Sequence, residues 1–263
     1  MPKPSKGEDT KTFSATLLDD GCNATFWFEL SNWFFRYNED QRLREVYKRF
    51  NVDELKRKAA ACLGHGSCVS VSKLAEGGAS KIFLLSMEDG FEAIAKIPTP
   101  IAGPSYYLTA SEVATMDFLR TELSLPVPVV YDWNASTSNP VGAEYIIMEK
   151  VNGIELSKCW GNLTGKETLE VFKQLCEFEN KLFTTSFSHS GSIYYRDSLP
   201  PEQQAITLSS RGKGYRRWCI GPTADPSFWY DERAELDIDR GPCTRLFFRS
   251  NADFEGKLRS TTY

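Results

Sequence analysis

Residues 69–119 carry three local signals in an order that leaves little choice of architecture. Val69-Ser70-Val71-Ser72-Lys73-Leu74 largely alternates apolar and polar residues, which predicts a strand with one buried face. Ala75-Glu76-Gly77-Gly78-Ala79-Ser80-Lys81 then turns the chain, and Ile82-Phe83-Leu84-Leu85 predicts the returning strand. Asp89-Gly90 is a second hairpin signal, and residues 91–97 predict a third strand containing Ala93-Ile94-Ala95-Lys96. Ser111-Glu112-Val113-Ala114-Thr115-Met116-Asp117-Phe118-Leu119 follows inside a predicted helix over 108–122, with Val113, Met116 and Leu119 on one face. Two more predicted strands, over 127–133 and 145–148, complete the order β-β-β-α-β-β.

Strand alternation puts Lys96 on the same face as Ile94. An ammonium turned inward from a strand needs a carboxylate or a phosphate, because burying it unpaired is costly. Glu112, sixteen positions later on the following helix, is the natural partner. Each residue alone reads as a solvated side chain; the ordered conjunction of glycine turn, strand lysine and helix glutamate carries the signal. Gly77 and Gly78 allow the backbone to approach an anion closely, and Ser80 adds a hydroxyl donor. Two adjacent glycines also make an ordinary hairpin. Met148-Glu149-Lys150-Val151, after an apolar strand, is a connector able to offer a backbone carbonyl and amide to a flat base.

Composition narrows the partners. The net charge of −4 argues against a surface that tracks nucleic-acid phosphates, and Lys56-Arg57-Lys58 reads as an exposed helix face. Seven scattered cysteines with no CxxC pair, and only two histidines, predict neither a zinc site nor a disulfide framework. Reduced thiols in a cytosol-like compartment fit better. No apolar run reaches the roughly 20 residues that span a bilayer. Residues 1–12 lack an apolar core for a secretory signal, and Glu8, Asp9, Asp19 and Asp20 argue against a presequence.

Outside the central block the chain divides into an N-terminal extension (1–66), a lobe over 67–151 and a mainly helical portion over 152–263. The extension holds Phe26-Trp27-Phe28 and Trp33-Phe34-Phe35, read as packing against the body or docking a partner. Residues 39–49 read as a charged, solvated segment. Asn51-Val52-Asp53-Glu54-Leu55 predicts a capped helix running to Gly64. Thr164-Gly165-Lys166-Glu167 starts another, with Val171, Leu175, Phe178 and Leu182 as its stripe. Residues 188–196 predict a short hairpin or turn, and 200–242 loops with one or two short elements.

On these residues the chain resembles the aminoglycoside-phosphotransferase and choline-kinase-like branch of the protein-kinase fold, and within it the fungal altered-inheritance-of-mitochondria protein 9 group. The stretches that carry it are Phe50-Asn51-Val52-Asp53-Glu54-Leu55, Ala95-Lys96-Ile97-Pro98, residues 109–119, Ile220-Gly221-Pro222-Thr223 and Ala234-Glu235-Leu236-Asp237-Ile238-Asp239-Arg240-Gly241-Pro242. The resemblance implies an α+β fold with a sheet-rich N-lobe and a helical C-lobe, holding ATP and Mg2+ between them. It implies that Lys96 holds the α- and β-phosphates, that Glu112 orients Lys96, and that Glu149 and Val151 meet the adenine through their backbones. It names neither the small-molecule acceptor nor a protein partner.

The family pattern then breaks. Phosphoryl transfer in this fold uses an HxDxxxxN loop and a later metal-holding aspartate. His65 precedes the whole site and His189 is followed by Ser190 and Gly191, so the sequence contains no HxD. Asp237-Ile238-Asp239 offers two carboxylates on one strand face but falls before the loop in the family order, and reads as structural. Ala252-Asp253-Phe254-Glu255-Gly256 has one residue too many for a DFG motif, and Asn251 reads as a helix cap. The expectation is a truncated, inactive member of an ATP-dependent O-phosphotransferase family. Two alternatives stand beside it: a non-catalytic nucleotide-binding or scaffold protein, and a chain that never folds stably because the stripe from Val171 to Phe183 lacks part of its cover and is prone to association.

Overall fold

The computed structural model describes residues 47–210 and 213–244. The N-terminal aromatic clusters, the expected cap at Asn251 and the Asp253 motif lie outside the described residues. The fold is α+β. Helix α1 (Val52–Leu63) begins where Asn51 Oδ1 accepts the Glu54 amide at 3.1 Å, and ends at Gly64, whose φ of 71° a side chain would resist. Strands β1 (Cys68–Glu76), β2 (Ser80–Met87) and β3 (Glu92–Pro98) follow as two hairpins. Helix α2 (Tyr107–Thr121) crosses to β4 (Val130–Asn134) and β5 (Tyr145–Glu149). The five strands form one antiparallel sheet in the order β1-β2-β3-β5-β4. This is the β-β-β-α-β-β order that the sequence predicts.

The two faces of this sheet have different duties. Phe83, Leu85, Ala93, Ala95, Ile97 and Ile147 point to one face and pack with Leu55 and Ala59 of α1 into a fully buried core. The other face carries Lys96 and, in register with it, Ile82 and Ile146. Helix α2 lies there. Its buried apolar positions are Ala110, Val113, Ala114 and Phe118, so the stripe is rotated from the expected one and leaves Met116 and Leu119 half-buried. Strand β1 is an edge strand rather than a half-buried one: Val69 and Leu74 stay more than half exposed.

After a single helical turn, α3 (Leu156–Cys159), comes α4 (Gly165–Phe183). Its start is a capping box in which Thr164 and Glu167 each satisfy the other's backbone amide. None of its residues is buried: in the stripe Leu175 and Leu182 are exposed and Val171 and Phe178 half-buried, and beside it Phe172 and Phe183 are exposed among the described residues.

The following part departs from the expected loops. Strands β6 (Ser192–Tyr195), β7 (Ile206–Ser210) and β8 (Lys213–Gly221) build a second antiparallel sheet in the order β6-β8-β7. The 188–196 region is thus the edge of a sheet, paired with β8 and not with its own neighbour. This sheet packs on α2 through Leu208, Trp218 and Ile220, which meet Ala114 and Phe118. Beyond it, Asp237-Ile238-Asp239 is not a strand: Asp239 Oδ1 accepts the Gly241 amide at 2.9 Å in a local turn.

Candidate functional site

Lys96 and Glu112 meet. The Lys96 ammonium donates to Glu112 Oε1, joining β3 to the middle of α2, and both side chains keep about a quarter of their surface (22% and 29%) open to water. Register explains the strand side: Lys96 pairs with Ile146 and Ile82 on the face that α2 covers. The helix side depends on how α2 is anchored. Glu144, only 5% exposed, accepts the Ser105 hydroxyl at 2.5 Å and the Thr109 hydroxyl at 2.6 Å. A buried carboxylate just before β5 therefore fixes the lead-in and first turn of the helix that carries Glu112. Neither Glu144 nor Thr109 announces this in the sequence, because 35 residues separate them.

The glycine turn is tied to the lysine strand. Ser80 pairs with Pro98, the Gly78 carbonyl accepts the Thr99 hydroxyl at 2.6 Å, and the Ala79 carbonyl accepts the Thr99 amide at 3.1 Å. Thr99, 4% exposed, thus latches the turn to the end of β3, three residues past Lys96. Neither Gly77 nor Gly78 adopts positive φ, and a Cβ added to either would touch nothing. The turn conformation does not demand glycine; the bare backbone leaves open space. The Gly77 amide is engaged by the Ser80 carbonyl at 3.0 Å, whereas the Gly78 and Ala79 amides make no hydrogen bond among the described residues. Two adjacent amides without a partner at a turn tip are donors that an anion can take up. Ser80 is half-buried beside it.

Beneath the turn lies an acidic and basic cluster that sequence reading missed. Glu76 takes Lys73 at 2.8 Å and Lys81 at 3.4 Å, and Lys81 is buried. Lys81 is in register with Ile97, on the opposite face from Lys96, so the two lysines are not interchangeable.

At the connector, Glu149 is partly engaged. Its amide donates to the Val129 carbonyl at 2.8 Å and its carboxylate accepts the Val129 amide at 3.0 Å. For a base edge, the backbone of Val151 and the Glu149 carbonyl remain; Val151 is 60% exposed just past the strand end. Lys150 turns away to Glu92 at 2.5 Å.

Among the described residues no group of three His, Cys, Asp or Glu side chains is arranged to hold a metal ion. The six described cysteines are free thiols. No helix of the described residues is long and apolar enough to cross a membrane.

No family model matches the chain. Over 176 residues, 67% of the chain, it is 47% identical to the subtelomeric hrmA-associated cluster protein of Aspergillus fumigatus, covering 33% of that protein. It is 25% identical over 264 residues to altered inheritance of mitochondria protein 9, mitochondrial, of Yarrowia lipolytica, covering 91% of the chain and 45% of the relative. The protein of that name in Eremothecium gossypii is 32% identical over 177 residues, covering 63% of the chain and 29% of the relative. The chain thus spans less than half the length of each of these relatives. A solved structure, the GDP and kanamycin complex of APH(2")-IIia, aligns with 49% of the chain and 41% of its own at 20% identity and a TM-score of 0.39. The chain is a relative of the fungal altered inheritance of mitochondria protein 9 group.

Proposed function

We propose that the chain supplies the nucleotide-holding lobe of a kinase-like protein of the aminoglycoside-phosphotransferase type. The observation that carries this reading is the Lys96–Glu112 ion pair between β3 and α2. The residues fit a nucleotide's phosphates: the Lys96 ammonium has one carboxylate partner and stays partly open, and the Gly78 and Ala79 amides are without a partner among the described residues in the turn that Thr99 ties to the same strand. In this reading Lys96 holds the α- and β-phosphates, Glu112 keeps the ammonium in place, and the turn of Gly77, Gly78 and Ser80 covers the phosphates. Glu149 and Val151 take the adenine edge through the backbone. Bound ATP supplies a γ-phosphoryl group for transfer to a small hydroxylic acceptor.

The described residues do not fit a protein-held Mg2+, since no three of their carboxylate, thiol or imidazole side chains are grouped to hold a metal ion; magnesium would arrive on the nucleotide. With no HxD among the 263 residues, this reading assigns them nucleotide binding and no phosphoryl transfer of their own. The exposed apolar side chains of α4, Leu169, Phe172, Leu175, Leu182 and Phe183, favour a second reading, a non-catalytic nucleotide-binding or scaffold protein.

One experiment separates the readings. ATP with and without Mg2+ is titrated into wild type and Lys96→Met while the thermal midpoint is followed. A saturable rise in wild type that Lys96→Met loses is the expected result. No rise at millimolar ATP removes the nucleotide and leaves the scaffold. ATP consumption that depends on Lys96 would overturn the claim of inactivity.

A further inference from the structure

We propose that the cavity between α2, β4 and the β6-β8-β7 sheet is a second ligand site, built for a small organic anion that carries a planar ring. The cavity encloses about 660 Å³ and neither Lys96 nor Glu112 lines it. That volume lies within the roughly 300–1,000 Å³ of small-molecule pockets. Tyr106, Trp133 and Tyr195 supply flat walls, and Arg196, Arg216 and Arg217 supply positive charge. Asp197 is the one carboxylate in the lining. With Arg217 paired to Asp117, Arg196 and Arg216 face Asp197 alone, which leaves the lining with a net positive charge on a chain of net charge −4.

The backbone is shaped to deliver these groups. Adjacent residues of a regular strand point to opposite faces. In β8, however, Cys219 pairs with Thr207 and Tyr215 pairs with Leu208, so residues 216–218 have no counterpart on β7. Of these, Trp218 makes the last pair with β6, opposite Tyr195, and the bulged Arg216 and Arg217 beyond it both line the cavity. Arg217 is fixed by Asp117 of α2 at 3.0 Å and lies over the Tyr195 ring at 4.9 Å. Arg196 donates to the Thr207 hydroxyl. Arg216 has no partner among the described residues, which leaves its planar fork for an oxyanion.

Tyr106 adds an independent sign. It is a bulky residue at φ 72°, where only glycine sits without cost, and its hydroxyl donates to the carbonyl of Ser198 in the same cavity wall. Backbone strain of this kind concentrates where a fold holds a side chain for a purpose. The aromatic walls suit a ring, and the arginines a phosphate or carboxylate attached to it.

The test is calorimetric titration of the full chain with 1-naphthyl phosphate and 1-naphthoate, beside inorganic phosphate and 1-naphthol. One of the two ring-bearing anions, whichever oxyanion the site prefers, is expected to bind with one-to-one stoichiometry. Phosphate alone and naphthol are expected to bind at least about tenfold more weakly. Arg216→Gln should weaken the preferred anion about tenfold with an unchanged thermal midpoint. Lys96→Met should leave it within about twofold, which keeps this site distinct from the nucleotide reading. The proposal is overturned by no binding of either anion at millimolar concentration, by phosphate binding as well as the ring compounds, by equal affinity in Arg216→Gln, or by loss in Lys96→Met.

Discussion

The carboxylate of Glu144 accepts the Thr109 hydroxyl at 2.6 Å, so the strand leading into the connector holds the helix that presents Glu112. Glu144 is buried and has hydroxyl partners on both oxygens. Glu144→Ala strands the Ser105 and Thr109 hydroxyls, and a lost buried partner costs about 1–3 kcal/mol. Urea denaturation should show the midpoint falling with an unchanged slope. An unaltered midpoint would mean that α2 is anchored elsewhere.

The Lys96–Glu112 pair should matter little to stability. Both side chains are partly exposed, and pairs in that setting contribute about 0–1 kcal/mol. Lys96→Ala and Glu112→Ala are therefore expected to unfold within about 1 kcal/mol of wild type. Under the proposed function each should weaken ATP at least about tenfold in calorimetry. A large stability loss with unchanged ATP affinity would make the pair structural.

Arg240 behaves differently. Its guanidinium lies 4.1 Å over the Trp229 ring and donates to the carbonyls of Phe228, Arg233, Ala234 and Leu236. Trp229 in turn stacks on Tyr107 at 5.3 Å, so this one side chain binds the segment after β8 to the start of α2. Lysine has neither the fork nor the flat face. Arg240→Lys should cost about 1–3 kcal/mol, read as a lower thermal midpoint in calorimetry. A midpoint equal to wild type would show that the segment holds itself.

Thiol chemistry offers a pH test. Burial, then the nearby Asp132 carboxylate, pushes the Cys62 thiol up to about 11. A raised thiol stays neutral, and unreactive, until the pH approaches that value. Iodoacetamide followed by peptide mass spectrometry at pH 8 should label the exposed Cys176 and spare Cys62. Labelling of Cys62 should rise only in strongly alkaline buffer. Equal labelling at pH 8 would contradict its burial.

What could be read from the sequence was what is local. Alternation and the Asp89-Gly90 turn set β1 to β3, Asn51 and Gly64 bounded α1, and Thr164 with Glu167 opened α4. Lys96 and Glu112 were legible because strand register and helix order bring them together without help. The β7–β8 hairpin was not legible, because the bulge at residues 216–218 breaks the alternation that would reveal β8. Thr99, Glu144 and Arg240 act through partners that only the tertiary fold supplies; two of them reach 21 and 35 residues along the chain. Asp237 and Asp239, read as structural, lie in a local turn and not on the strand that their alternation suggests.

The two acids of α2 have a joint consequence. Glu112 holds Lys96 of the first sheet, and Asp117 holds Arg217 of the second. Five residues of helix separate them, about 140° around the axis. The helix is therefore an axle with a rein on either side: any rotation that slackens one ion pair tightens or breaks the other. A perturbation at the arginine-lined cavity and one at the lysine strand would pull on the same shaft.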